Sequence, residues 1–429
     1  MRDEPQRVTS PAERRRAFRL LYLCLVTIGV GNSILFAVLP ALAESIGLTE
    51  AMVAVIYVAP SALFVVASQM WGTASDRLGR RPVVLIGMVA TAVSLFGFGA
   101  VAPIAMAGLV SAAWATALFA MTRLVFAAFG SGTSPSAQAY VADRTTPAQR
   151  TTALADLGAA FGLGAIVGPT LAGVLAPFIG IAGPFFVAGA ISLAAALAVR
   201  VYLPERTPPK ERLAGSEAAR PRAWALAIDP RVRAITLVGA LTWIVQAVQI
   251  QTLGYFVMDR MHVDGAAAAA VAGWVLTGGA AAMLVTQMGV IRLFRMTPRD
   301  ATVTGAGLMA AGSLGLVFAF GIVGIVVGYV ISAAAAGLLR PGQLGVSSLA
   351  VTPREQGAVA GLGMAVAGMG FLVAPVGGLL LRDSFGPTSP YVVSTVLSVV
   401  AFGVAVVNPA IRRASRMAIE DTVSGPPAM

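Results

Sequence analysis

Of 429 residues, 57% are hydrophobic and only 11% carry charge, against about 25% charged in an ordinary soluble domain. That composition excludes a soluble globular protein. The net charge of +11 invites a nucleic-acid reading, so the placement of the basic residues has to decide. With the N-terminus in the cytoplasm and a crossing at every long apolar run, 26 of the 30 Lys and Arg fall on that same side. Only Arg260 and Arg382 fall opposite, and Arg123 and Arg340 lie inside apolar runs. The asymmetry is the positive-inside pattern, which predicts cytoplasmic termini and leaves no role for nucleic acid.

About twelve apolar runs of about twenty residues recur, each long enough to cross a hydrocarbon core of about 30 Å as a helix. A polar, Arg-rich stretch occupies 1–17, and the first predicted helix, 18–43, is too long for a signal peptide. It contains the single cysteine, Cys24, so neither a disulfide framework nor a cysteine metal site is expected. The second helix spans 52–74 and leads into a charged turn, "GTASDRLGRRP", before a third from 83. The fourth, 108–142, holds Arg123 and ends at "DRTTPAQR", and the fifth and sixth reach 203. A segment rich in Pro, Arg and Glu then divides the chain. The expected organisation is a tail (1–17), a six-helix bundle (18–203), a linker (204–231), a second six-helix bundle (232–411) and a tail (412–429). His262, the one histidine, reads as a solvated loop residue.

The halves repeat. A shift of 206 positions aligns "TPAQRTTALADLGAAFGLGAIVGP" at Thr146 with "TPREQGAVAGLGMAVAGMGFLVAP" at Thr352, superposing Gly164 on Gly370 and Pro169 on Pro375. Parallel six-helix repeats around a long linker predict two lobes rocking about a site near the midplane.

The turn Gly72-x-x-x-Asp76-Arg77-x-Gly79-Arg80-Arg81 resembles the signature of the major facilitator superfamily, and helix count, linker and repeat agree with it over nearly the whole chain. The chain is similar to its bacterial twelve-helix drug/proton antiporters. The resemblance implies an all-α membrane fold of two six-helix pseudo-repeats. It also implies a latch in which Asp76 sits at the start of helix 11 near Gly357 and an arginine of the turn pairs with Asp143, flanked by Arg150. "GLGAIVGPTLAG" resembles the family's exporter motif, placing Gly164, Gly168, Pro169 and Gly173 at helix contacts, with Ala172 departing from a frequent glycine. Arg123, in "RLVFAAFGSG", resembles a motif tied to proton coupling, with Asp156 as the nearby titrating group. The alternatives are a plain positive-inside loop for the turn, ordinary tight packing for the glycines, and a guanidinium satisfied by helix carbonyls for Arg123.

The deep charges carry their own argument. Arg340 lies about twelve residues inside helix 10, and no Asp or Glu lies well inside any apolar run. A buried unpaired charge is strongly unfavourable, so a counter-anion is expected, and the substrate could supply it. Where many drug/proton exporters carry an acid in helix 1, this chain has Asn32 and Ser33. That disfavours simple cations and favours an anionic or zwitterionic amphiphile. Trp243, Gln246 and Gln249, spaced by three, are expected on one cavity face of helix 7, opposite Asn32, Phe36 and Tyr57. For these residues interhelical hydrogen bonding is the competing reading.

No HExxH, GxSxG or P-loop occurs, so an enzyme or ATP-driven pump is not expected, nor a cofactor or metal. The expected function is export of a small amphiphilic molecule in exchange for protons by alternating access. The alternative is a proton-coupled carrier for one organic anion or zwitterion, such as a carboxylate metabolite or metal chelator. Its partners would be the small-molecule substrate, protons and the lipid bilayer, and the protein is expected to be a monomer. The bias of 29 arginines to one lysine points to a GC-rich bacterium and its cytoplasmic (inner) membrane.

Overall fold

The structure is a computed structural model that describes residues 11–145, 147–205, 226–263, 265–352 and 355–412. Twelve of its helices are long and apolar enough to cross a membrane. They are α1 (Pro11–Ser45), α2 (Glu50–Leu78), α3 (Arg80–Met106), α4 (Ala112–Ala142), α5 (Pro147–Ile179), α6 (Gly183–Tyr202), α7 (Arg233–Met261), α8 (Ala267–Leu293), α9 (Pro298–Val317), α10 (Gly321–Leu349), α11 (Gln356–Phe385) and α12 (Ser389–Val407). No strand occurs among the described residues. An even number of crossings brings the start of α1 and the end of α12 to one end of the molecule, the tail end; the opposite end is the far end. Most of the expected linker and both outer tails lie outside the described residues.

Helix ends follow local chemistry. Thr49 Oγ1 accepts from the Met52 N–H at the start of α2, and Ser111 Oγ accepts from Trp114 N–H at the start of α4, satisfying orphan donors. The charged turn is tighter than expected. Helix α2 continues through the motif to Leu78, and the reversal is condensed into Gly79, whose φ of 93° only glycine adopts readily. Helix α1 likewise starts at Pro11 rather than near 18, because polar residues outside an apolar core can still propagate a helix. A 3-10 turn at Gly130–Gly132 interrupts α4. There a Cβ on Gly132 would come within 2.9 Å of Trp71 and Val83 side-chain atoms.

Three clusters of buried residues show how the bundles meet. One, which includes Ile34, Val38, Leu42 and Phe98 of the N-terminal half and Phe256, Val257, Leu276 and Tyr391 of the C-terminal half, joins both bundles toward the far end. Two others stay within a single bundle at the tail end, one around Leu21, Met88 and Tyr140, the other around Val232, Leu362 and Ile411. The bundles therefore share a core at the far end and keep separate cores at the tail end. Elsewhere they touch along seams. Gly273 of α8 packs where a Cβ would lie 2.6 Å from the Pro169 carbonyl oxygen of α5, and the Thr170 and Thr277 hydroxyls meet at 2.7 Å across the same seam.

The repeat has a geometric counterpart. A Cβ on Gly164 would fall 2.1 Å from the Val26 carbonyl oxygen of α1, and one on Gly370 would fall 2.9 Å from the Trp243 carbonyl carbon of α7. Each glycine lets its helix lie against the first helix of its own half, the close approach that small residues permit in membranes.

Candidate functional site

Arg123 reaches from α4 toward α1, where its Nη2 donates to Asn32 Oδ1 at 2.8 Å, and its guanidinium lies 4.7 Å from the Phe126 ring centre. It is 8% exposed. In the other half, Arg340 of α10 donates from Nη2 to Gln246 Oε1 of α7 at 3.0 Å and lies 4.5 Å from the Trp243 ring centre, while its buried Nε has no partner. Among the described residues, neither guanidinium has a carboxylate partner. Each meets one neutral amide and an aromatic face, which leave its charge uncompensated.

Between these cations runs a line of rings that crosses the interface. Tyr57 of α2 stacks on Phe36 of α1 at 5.7 Å, Phe36 on Phe371 of α11 at 6.2 Å, and Phe371 meets Trp243 at 6.3 Å. The Tyr57 hydroxyl is buried without a partner. Asn32, Phe36, Tyr57, Arg123, Trp243, Gln246 and Arg340 thus fall in two groups joined through Phe371, which carries no polar signal in the sequence. Gln249 falls elsewhere. Its amide spans Ser313 Oγ (2.8 Å) and Ser332 Oγ (2.7 Å) inside the C-terminal bundle, and it is 2% exposed. It stitches α7 to α9 and α10, so it is corrected from cavity wall to interhelical tie.

Asp156 also needs relocating. It is exposed at the tail end, where with Phe18, Arg19, Tyr22 and Leu157 it lines a largely apolar cavity of about 410 Å³. Tyr22 lies ten residues before Asn32 on α1, about 15 Å along the axis at 1.5 Å per residue. Asp156 is therefore not a neighbour of Arg123.

The glycines of α5 serve two faces. Gly164 and Gly168 abut α1, where a Cβ on Gly168 would meet Ser33 Oγ at 2.1 Å, and Gly173 abuts α8, where a Cβ would lie 3.2 Å from the Ala270 carbonyl oxygen. Pro169 sits between them at the seam with Gly273.

At the tail end, buried Arg80 donates from Nε to Asp143 Oδ2 at 3.4 Å and from Nη1 to Ser75 Oγ at 2.5 Å. The Arg81 N–H donates to Glu205 Oε2 at 2.5 Å, its guanidinium donates to the Arg200 carbonyl, and Gly79 lies against Glu205. Arg77 is exposed and Gly72 faces Pro135. These ties hold α2, α3, α4 and α6 together within one bundle. The side chains of Asp76 and Arg150 lie outside the described residues. In the other bundle Arg231 pairs with Asp229 at 2.8 Å and Glu355 at 3.0 Å. Hydrogen bonds from Arg231 and Thr352 hold the Glu355 carboxyl down at about 2, and Arg231 also lowers Asp229.

A far-end ionic cluster was not legible. Arg382 of α11 donates from Nε and Nη2 to Asp259 of α7 at 2.9 and 2.8 Å, and from Nη1 to Glu50 of α2. The second contact ties the halves together. The three residues lie at the ends of separate apolar runs, and no spacing rule connects them.

The family model described as Major Facilitator Superfamily matches residues 21–330. Multidrug resistance protein 2 of Bacillus subtilis (strain 168) is 27% identical over 202 residues, 47% of this chain and 47% of that protein. The class B tetracycline resistance protein of Escherichia coli is 33% identical over 137 residues, 31% of this chain and 30% of its own length. The chain spans about half or less of the length of these two relatives. Among solved structures, a bacterial homolog to the human lysosomal transporter Spinster, inward-facing and unoccupied, superposes with a TM-score of 0.70 at 17% identity, covering 98% of this chain and 100% of that one. The human organic anion transporter MFSD10 (TETRAN) gives 0.63 at 22% identity, covering 91% and 99%. At these identities the structural likeness carries the fold alone.

Proposed function

The chain belongs to the major facilitator superfamily of membrane transporters, and on that premise we propose that it exports a small amphiphilic molecule in exchange for protons. The observation that carries this reading is the pair of buried arginines, each held by a neutral amide, on either side of rings contributed by both halves. The rings suit a flat apolar body and the cations an anionic or zwitterionic head. The resistance proteins among its relatives support export. In this reading the protein works as a monomer in the bacterial cytoplasmic membrane with both termini inside. Substrate enters from the tail end, where the bundles keep separate cores, and leaves when the shared far-end core parts. The turn around Asp76, Arg80 and Asp143 stabilises one conformer, and Arg123 links substrate occupancy to protonation.

Flux in proteoliposomes under an imposed pH gradient tests this, with a panel of lipophilic cations, zwitterions and anions. The expected result is accumulation driven by the gradient, abolished by a protonophore and inhibited by several unrelated amphiphiles. Flux indifferent to the gradient overturns the exchange. A second reading, a carrier for one organic anion, is favoured by the partnerless Arg340 Nε, and inhibition by a single anion alone would select it.

A further inference from the structure

The far-end cluster is unused by the reading above, yet its charges do not balance. Asp259 takes the Nε and Nη2 edge of Arg382 in a two-pronged pair, which already neutralises that guanidinium. Glu50 is therefore a second carboxylate on a spent cation. Glu44 of α1 and Asp383 of α11 line the same cavity of about 410 Å³ and add negative charge. The Glu50 side chain is 12% exposed; its Oε1 accepts from Arg382, and its Oε2 is buried with no partner. An ionised oxygen in that position lacks both water and a donor, the costly arrangement for a buried charge.

We infer that Glu50 is the group that carries the exchanged proton, held on Oε2 while Oε1 keeps its bond to Arg382. The inference rests on the proton-exchange reading and names its protonation site. Closing the far end brings Glu44 and Glu50 of one half against Asp259 and Asp383 of the other, with Arg382 between them. A proton on Glu50 removes one of the three excess negative charges, the one sealed in against the already paired Arg382, and lets the face close, which returns the empty carrier to the state seen here. That is the direction an exporter needs.

A second unmatched polar atom lines the cavity. Tyr255 of α7 lines the same cavity, lies under the Arg382 guanidinium at 4.8 Å and is 5% exposed, and its hydroxyl has no partner. The Tyr57 hydroxyl of α2 is likewise buried without a partner. A hydroxyl both donates and accepts, so the unmatched Tyr255 hydroxyl can take or return a proton in the cavity that Glu50 lines. Net exchange takes the proton from far-side water onto Glu50 and gives it up to water on the tail side later in the cycle. Only O–H bonds change, and Glu50 is regenerated as a carboxylate.

Two measurements test this. In a Cys24→Ala background, spin labels at Leu109→Cys and Ser384→Cys, both at exposed far-end positions, report the distance between halves. The closed population of the substrate-free parent should rise as pH falls, and Glu50→Gln, which keeps the Oε1 acceptor, should hold the parent's low-pH closed population at every pH. In proteoliposomes Glu50→Gln should lose pH-driven accumulation at least tenfold while substrate-for-substrate exchange continues, with Glu50→Asp restoring part of the coupling. Accumulation by Glu50→Gln within twofold of the parent overturns the inference, as does a far-end distance in the parent that ignores pH. A parent protein without any pH-driven flux defeats the exchange reading instead. The pH-dependent distance then still decides whether Glu50 is the titrating gate.

Discussion

Adding one methyl group at Gly164 is the sharpest test of how α5 sits on α1. The new Cβ would stand 2.1 Å from the Val26 carbonyl oxygen and 2.8 Å from the Gly29 Cα, both backbone atoms of a packed helix. Neither can swing aside as the tip of a flexible side chain could, so the helices must separate. Overpacking of this kind costs about 1–3 kcal/mol, and the upper part of that range is expected here. Two residues away, Gly162 has no heavy atom within 4 Å of a built Cβ, and replacing a helical glycine there should gain about 0.5–1 kcal/mol. Gly164→Ala and Gly162→Ala should thus differ by about 3 kcal/mol, roughly a hundredfold in an unfolding equilibrium constant. Denaturant titration of the purified protein in detergent, followed by tryptophan fluorescence, reads this difference. Equal midpoints for the two variants would refute the packing argument.

Three further outcomes follow from the geometry. Arg340→Ala should weaken binding of an anionic amphiphile by about 1.5–3 kcal/mol, the range for a charged hydrogen bond, while leaving neutral analogues nearly unaffected; scintillation proximity binding checks it. Gln249→Leu should destabilise the fold by about 1–3 kcal/mol by stranding the Ser332 hydroxyl, which donates to the Gln249 amide, while Ser313 keeps its bond to the Met309 carbonyl, yet leave substrate selectivity unchanged in competition assays. The Arg231 cluster sets an acid limit. Glu355 and Asp229 are depressed in the folded chain, so their contribution is present above their ordinary values of 4.5 and 3.8 and is lost as pH falls toward about 2. Stability of the parent and of Arg231→Ala should therefore differ at neutral pH and converge as pH drops from about 4.5 to 2, measured by thermal melts across that range.

The twelve spans were legible because a bilayer demands long uninterrupted apolar helices, and nothing subtler than run length is needed to see them. The approach of Arg80 to Asp143 was legible from the family's turn, and the twin positions of Gly164 and Gly370 from the repeat. Gln249 was not, for a simple angular reason. At about 100° per residue, the six residues from Trp243 fall about 120° short of two full turns. A spacing of three therefore carries the side chain off the face that Trp243 and Gln246 share. The turn at Gly72 was misplaced because charge was read as loop, whereas only Gly79 has a backbone that breaks the helix. Phe371 and the cluster of Arg382, Glu50 and Asp259 depend on which helices face one another, and no local pattern records that.

The shared hydrophobic core at the far end sets the energetic scale for any solute that works this machine. To open that end, apolar surface now hidden must meet water, at about 25 cal/mol for each Å². The switch is feasible only if a comparable area disappears at the tail end in the same motion. Two nearly matched burials leave a small difference, and a ligand shifts such an equilibrium only by what it gains in one state over the other. Modest binding preferences are then sufficient to drive the cycle, and a loosely discriminating pocket costs the carrier little.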